Sequence, residues 1–450
     1  MRAGAFLYPW DVVGDPAAPE RIAALGVRQV TLASAYHSVR ALTPRHPRHR
    51  VVTAPHAAVL YPPDPDRWRG RELRPYEQRW VRSDDPDGAY GEAARALNEA
   101  GLRVHSWVVL AHNSRLGEEH PHITVRNAYG DRYPWAPCVA RPEVRAYLVA
   151  LAAEAAVRPG TAGTELESCG WYGLAHLHAH DKTGGAALDG AGAYLMSLCF
   201  CEVCRAGYAA RGADPGALRA RVTAALEPVW RGARADGDVD SGPGSAGGGA
   251  REREWARVCA LLGPDEAALC AAWREEAARR LRREAVAAVR TAAGEPAAGD
   301  RAAGERAPRG RFRVLLHADP APHRVGANAG LAPAEAVRDA DGVVVPCGTD
   351  AAERAHAVGP FAAAATAAEP EAGTGADAAH APATPFTVAA NFTVVSGMGG
   401  SPYTLAADAA DASARGANEL RLYHAGLAPD ADLAAVAEAL RSVASGSPAE

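Results

Sequence analysis

The chain reads as a single (β/α)8 barrel (a TIM barrel) with a long insertion after strand 4, on three observations. Short apolar, β-rich runs alternate with Ala- and Leu-rich helical runs, which argues for a parallel sheet wrapped by helices. The runs number eight, the count of a closed barrel. No glycine-rich phosphate loop follows the first run, which weighs against an open doubly wound sheet that binds a dinucleotide. With 450 residues, 48% of them hydrophobic, the chain can bury a large core as one domain, residues 1–450.

The candidate strands are residues 5–10, 29–33, 103–110, 164–168, 312–318, 342–346, 386–392 and 419–424. Helices are expected at 18–25, 88–100, 143–157, 191–210, 333–338, 351–357, 405–415 and 433–444. Residues 41–87, rich in Pro, Arg and His, form an excursion between strands 2 and 3, where 51–61 reads as a small hairpin over the barrel mouth. The insertion, residues 191–310, holds a cysteine cluster, a helix near 215–230, a Gly-rich stretch at 236–249 and a long charged helix at 251–293. The aperiodic Ala/Gly/Pro-rich stretches 294–310 and 363–384 read as disordered surface loops.

The formal net charge of -5, with scattered arginines, gives no reason to expect nucleic acid or another polyanion as partner. No run approaches the roughly 20 apolar residues of a membrane span. The N-terminal stretch lacks the charged, apolar and small-residue regions of a signal peptide, so a cytoplasmic location is expected. In a reducing compartment the 8 cysteines are then free thiols or metal ligands rather than disulfides.

Cys199, Cys201 and Cys204 put three thiols within six residues, able to face one point if the backbone turns around it. Zinc takes four ligands in a tetrahedron, with thiolate sulfurs at about 2.3 Å. Cys138 is the expected fourth ligand, because it ends the loop after strand 3, next to the loop after strand 4; Cys169 is the spare. Such a closed site is structural, with no open position for water. The plainer alternative is three reduced, partly buried cysteines.

Cys138 shortly precedes the Arg141-Pro142 pair that heads a helix, a strand ending in Glu165-Leu166-Glu167 follows, and the C-x-C-x-x-C cluster comes next. With these features the stretch 127–208 resembles the family-42 β-galactosidases and, more closely, barrel hydrolases related to them. The resemblance implies a glycoside hydrolase, zinc bound by Cys138, Cys199, Cys201 and Cys204, and an acid/base at the end of strand 4.

Barrel enzymes carry their chemistry at the C-terminal ends of the strands. Here those ends hold Tyr8, Trp10 and Asp11; Tyr36 and His37; Trp107, His112 and Asn113; Glu165 and Glu167; His317 and Asp319; Asp350; Asn391; Tyr423 and His424. Aromatic faces stack on sugar rings, and His, Asn and carboxylate groups bond to hydroxyls. Glycoside hydrolysis needs two carboxyl groups across the scissile bond. Glu167 is the expected acid/base, its pKa raised by desolvation from Trp171. Glu165 faces the same side of the strand. If both face the lumen, their repulsion raises one pKa; the alternatives are that Glu165 pairs with a lumen Arg or His, or that the strand register turns both away.

The resembled enzymes place a Glu nucleophile at the end of strand 7, where this chain has Asn391, and an Asn before the acid/base, where it has Leu166. The retaining mechanism therefore does not carry over intact. Asp319 is the expected substitute and Asp11 the reserve. A carboxyl separation of about 5 Å predicts retention, and about 6.5–9.5 Å inversion. The competing role for Asp319 is capping of an Asp-Pro turn.

After strand 4, His176, His178 and His180 alternate and share one face if the segment is extended. They could ligate a metal, bind substrate hydroxyls or form a solvated loop face; substrate contact by one or two of them is expected, with Trp171 beside them and Lys182 as an anion anchor. The plain alternative for Lys182 is an exposed lysine. Three functions compete: a glycoside hydrolase acting on a soluble glycoside; a metal-dependent hydrolase using the His176, His178, His180 run; and a non-catalytic carbohydrate-binding barrel that has lost its nucleophile.

Overall fold

The computed structural model describes residues 1–177, 181–233, 250–294, 311–368 and 385–445. Eight parallel strands close on themselves: β1 (Arg2–Leu7), β2 (Gln29–Tyr36), β3 (Arg103–Val109), β4 (Thr161–Glu167), β5 (Arg313–Asp319), β6 (Gly342–Pro346), β7 (Thr387–Thr393) and β8 (Glu419–Tyr423). Each pairs with the next, and β8 pairs with β1, with Arg2 opposite Glu419 and Ala5 opposite Leu422. The fold is the expected (β/α)8 barrel.

The strands are almost wholly buried because helices cover the outside and side chains fill the lumen. Alternation decides which residue does which. On β4, Glu165 and Glu167 point into the lumen, where they meet Arg421, Trp107 and His317. Phe6 joins them there, with ring centroids 4.7 Å from Trp107, 5.6 Å from His317 and 5.2 Å from Tyr423. The centre of this barrel is therefore partly polar.

Several expected boundaries move. β1 starts and ends three residues early, because Pro9 lacks the N–H a ladder needs and opens a 3-10 turn at Pro9–Asp11. Tyr8, Trp10 and Asp11 thus lie on a turn above the strand. The helix expected at 191–210 is two, Gly190–Met196 and Glu202–Ala209, with the cysteine turn between them. The helix expected at 251–293 breaks at Gly263, whose φ of +86° is left-handed, and Pro264 starts the next helix. The helix expected to end at 357 runs to Ala368, so the start of the supposed loop at 363 is helical. Residues 295–310 and 369–384 lie outside the described residues. The mouth hairpin pairs Val39–Leu42 with Val51–Ala54, while Ala58–Val59 adds antiparallel to the end of β2.

The insertion has two parts. The helix Pro264–Ala292 packs between the barrel helices Pro142–Ala156 and Pro333–Asp339, tied by Arg145–Glu284, Arg279–Glu335 and Arg283–Asp339 ion pairs. It serves as the outer helix between β4 and β5. The shorter helices before it sit on the mouth side, where Ala250–Leu262 delivers Arg251 to Asp319 at the end of β5. Among the described residues no helix is long and apolar enough to cross a membrane.

Candidate active site and metal centre

Glu167 ends β4, and the chain turns away at once. Ser168 adopts φ +55°, its N–H donating to Ala327 O at 2.8 Å and its carbonyl accepting from Ala111 N at 3.2 Å. Among the described non-glycine residues, positive φ occurs only at Ser168 and at His424 (φ +62°), the residues just after β4 and β8. Left-handed backbone at such residues costs on the order of 1–3 kcal/mol and persists where the surroundings enforce it. Here both sites of strain border the barrel mouth.

Glu167 is 3% exposed. Its Oε2 accepts a hydrogen bond from Trp107 Nε1 at 2.8 Å and lies 3.8 Å from His317 Nδ1. Burial pushes its pKa up to about 7, against the opposing effect of the Trp107 bond. Such a carboxyl group holds a proton near neutral pH and gives it up when a leaving oxygen needs it. The tryptophan that meets the carboxylate is Trp107, and its bond lowers the pKa rather than raising it. Trp171 instead donates from Nε1 to Arg274 O at 2.8 Å and packs against the Arg274 guanidinium.

Glu165 lies one layer deeper. Arg421 donates from Nε to its Oε1 at 2.8 Å, Gln29 Nε2 donates to the same atom at 3.3 Å, and His317 Nε2 stands 3.9 Å from Oε2. The arrangement is the lumen ion pair anticipated as the alternative for this residue. His317 therefore stands between the two glutamates without a hydrogen bond to either, and burial followed by the Arg421 charge pushes its pKa down to about 3.

The Asp319 carboxylate is gripped by Arg251, with Nε at 2.9 and 3.2 Å from the two oxygens and Nη2 at 2.7 Å from Oδ2. Its Oδ1 also accepts from Ala321 N at 2.9 Å, the turn-capping role. Asp11 is likewise buried. Its Oδ2 accepts from Tyr8 N at 2.8 Å, its Oδ1 has no partner among the described residues, and burial lifts its pKa to about 7 against the Tyr8 bond and the Arg45 charge. A Cβ at residue 426 would overlap Asp11 Oδ2, so glycine is what lets the loop after β8 close over it.

Aromatic and imidazole rings wall the mouth. Tyr8 OH donates to Tyr36 OH at 2.9 Å and meets His424 Nδ1 at 3.0 Å, while its ring stacks on Trp10 at 4.5 Å. His37 stacks on Tyr36 at 4.2 Å and lies 4.8 Å from His112, which stacks on Tyr172 at 4.2 Å. His176 meets Tyr172 OH at 3.3 Å. Burial, and then the neighbouring imidazoles, hold His37 near 4, His112 near 2 and His424 near 3, so these rings are neutral at pH 7. Asn391 ends this wall on β7, its Oδ1 buried without a partner among the described residues.

Other expected contacts lie apart. Asn113 caps the helix Ser114–Glu119 by accepting from Leu116 N at 3.0 Å. Lys182 is exposed, and His178 and His180 fall outside the described residues. Arg421, Arg251 and Tyr172 were not singled out from the sequence. The alternation Glu419-Leu420-Arg421-Leu422-Tyr423 carries the signal for the first, since it puts a charged residue on the lumen side of β8.

Cys138, Cys199, Cys201 and Cys204 form a buried group able to hold a metal ion, all four sulfurs lying within 4.8 Å of one another. Cys138 Sγ is 3.8 Å from Cys201 Sγ and 3.6 Å from Cys204 Sγ. Sulfurs at about 2.3 Å around a tetrahedral zinc stand about 3.8 Å apart, so the group fits that ion. The backbone N–H groups of Arg126 and Cys201 point at Cys199 Sγ, at 3.4 and 3.5 Å, as suits a thiolate. Cys169 is buried elsewhere and is not part of the group.

No protein-family model matches this chain, and no curated protein sequence matches it. Among solved structures, the α-L-fucosidase isoenzyme 2 from Paenibacillus thiaminolyticus is similar over 99% of this chain and 49% of its own, with 13% identity and a TM-score of 0.52. This chain thus spans about half the length of that enzyme. The PgaB (BpsB) glycoside hydrolase domain from Bordetella bronchiseptica aligns over 98% of both chains at 13% identity, with a TM-score of 0.46. At such identities the likeness to the fucosidase is one of fold, and the fold it supports is the closed parallel barrel already described.

Proposed function

We propose that this chain is a glycoside hydrolase in which Glu167 is the acid/base. One observation carries the reading: a buried carboxyl group, raised to about 7, ends a barrel strand inside a wall of aromatic and neutral imidazole rings. That wall suits a small carbohydrate or glycoside, with ring faces for stacking and uncharged nitrogens for hydroxyls. That the fucosidase which shares the fold cleaves sugars agrees with this reading.

Asp319 is our nominee for the second carboxylate. Arg251 holds it in one orientation at the end of the neighbouring strand, as the second of two carboxyl groups across a scissile bond has to be held. His37, His112, Trp107, Trp10 and His424 line the sugar site in this reading, with His176 at its rim. We further propose that zinc occupies the four-cysteine group and clasps the insertion to the loop after β3, a structural role away from the reaction.

Turnover of a panel of aryl glycosides tests the proposal. Release of the aryl group by the wild type that vanishes in Glu167→Gln supports it. Equal turnover by both forms sinks it. The second reading, a carbohydrate-binding barrel without turnover, is favoured by one feature: Asn391 stands where the resembled enzymes carry a nucleophile, and the Asp319 oxygens are already bonded. Binding of the same sugars without aryl release would select it.

A further inference from the structure

The pole of the barrel opposite the mouth holds a cavity of about 280 Å³. Arg2, Arg28, Arg103, Arg313 and Arg421 line it, with Glu419 as the single carboxylate. Topology explains the convergence. Arg2, Arg103 and Arg313 are the first residues of β1, β3 and β5, and Arg28 immediately precedes β2, so four strands present a guanidinium where they enter the barrel. Arg421 comes down from β8.

Glu419 cannot neutralise this set. It already pairs with Arg2 at 2.9 Å, Arg313 at 3.2 Å and Arg421 at 3.0 Å. Burial alone would raise its pKa, yet the Arg421 and Arg313 charges hold its carboxyl below the usual range. Arg28 and Arg103 are exposed and form no ion pair with the described residues. Just above, His105 is fully buried, and neither ring nitrogen has a hydrogen-bond partner among the described residues, Nδ1 standing 4.0 Å from Glu165 Oε1. Glu165 also holds Arg421 at 2.8 Å, so five guanidinium groups face two carboxylates, an excess that a net charge of -5 for the chain does not explain.

We propose that this recess is a binding site for a small, multiply charged phosphate anion, either free or as the terminal group of a phosphorylated metabolite. Guanidinium forks match phosphate oxygens two at a time. The volume falls just below the roughly 300–1,000 Å³ of small-molecule pockets, and so suits a compact anion. The site lies at the far end of the barrel from Glu167 and does not depend on the hydrolase reading.

Calorimetric titration of the full-length protein tests it, using pyrophosphate, inorganic phosphate and glycerol phosphate at constant ionic strength, with chloride as control. Binding of at least one of these below about 1 mM is expected. In Arg28→Gln/Arg103→Gln it weakens by about tenfold or more, with a shallower dependence on salt, and in Arg205→Gln, on the insertion, it does not change. Preference for the free anions or for the ester identifies the source of the phosphate. A wild-type chain that takes up none of the three at about 10 mM overturns the proposal, whatever the variants do. So does equal binding by wild type and the double variant.

Discussion

Arg421 reaches across the barrel axis from β8 and donates to Glu165 on β4, the strand opposite, at 2.8 Å. Through His317, 3.9 Å from Glu165 and 3.8 Å from Glu167, this buried ion pair stands directly beneath the proposed acid. Removing one partner leaves the other charged and dry. Arg421→Met is expected to cost about 3–5 kcal/mol in urea unfolding, and Arg421→Met/Glu165→Leu to recover a good part of it. Two independent, additive losses would show that the pair is not coupled.

Trp107 tunes Glu167 by donating to its charged form. Phe at 107 removes that donor, so the Glu167 pKa rises further above 7. An acid must be protonated to act, so the alkaline limb of the activity profile moves to higher pH. One hydrogen bond of about 1 kcal/mol corresponds to somewhat less than one pH unit. The pH dependence of kcat/KM for Trp107→Phe beside wild type measures the shift. A limb displaced to lower pH would place the controlling group elsewhere.

The same carboxyl group costs stability. Its pKa is near 4.5 unfolded and about 7 folded, so both forms hold the proton below pH 4 and neither state is penalised. As pH rises from about 4.5 to 7, only the unfolded chain ionises, and the native state loses up to about 3 kcal/mol, fully by pH 8. Glu167→Gln removes this loss. It is expected to be more stable than wild type at pH 8 by denaturant melting, and equal to it near pH 4.

The cysteine group makes a separate prediction. Purified protein is expected to carry about one zinc per chain, and Cys204→Ser to lose it together with several kcal/mol of stability. Metal analysis by mass spectrometry, with melting in the presence of a strong chelator, checks both. Two zinc ions per chain would point instead to a second site and revive the histidine run.

The barrel itself was legible in the chain. Eight runs buried on both faces, each followed by a helical run, leave few ways to bury that surface, and closure is the one that removes both edges. The place of Glu167 at the end of β4 was legible too, because a strand end is a local feature. So was the cysteine group, where three of the four thiols sit within six residues. Boundaries moved where one residue's backbone chemistry won: Pro9 ended β1 early, and Gly263 split a long helix.

The electrostatics belonged to the tertiary structure alone. Trp107 rather than Trp171 meets Glu167, Arg251 crosses 68 residues to hold Asp319, and Arg421 crosses 256 to hold Glu165. Periodicity tells which face a side chain takes, and that is enough to close a barrel and aim Glu167 into it. It does not tell which residue stands opposite across the lumen. That depends on the register of eight strands together, and with it goes the choice between a paired carboxylate and a buried one that keeps its proton.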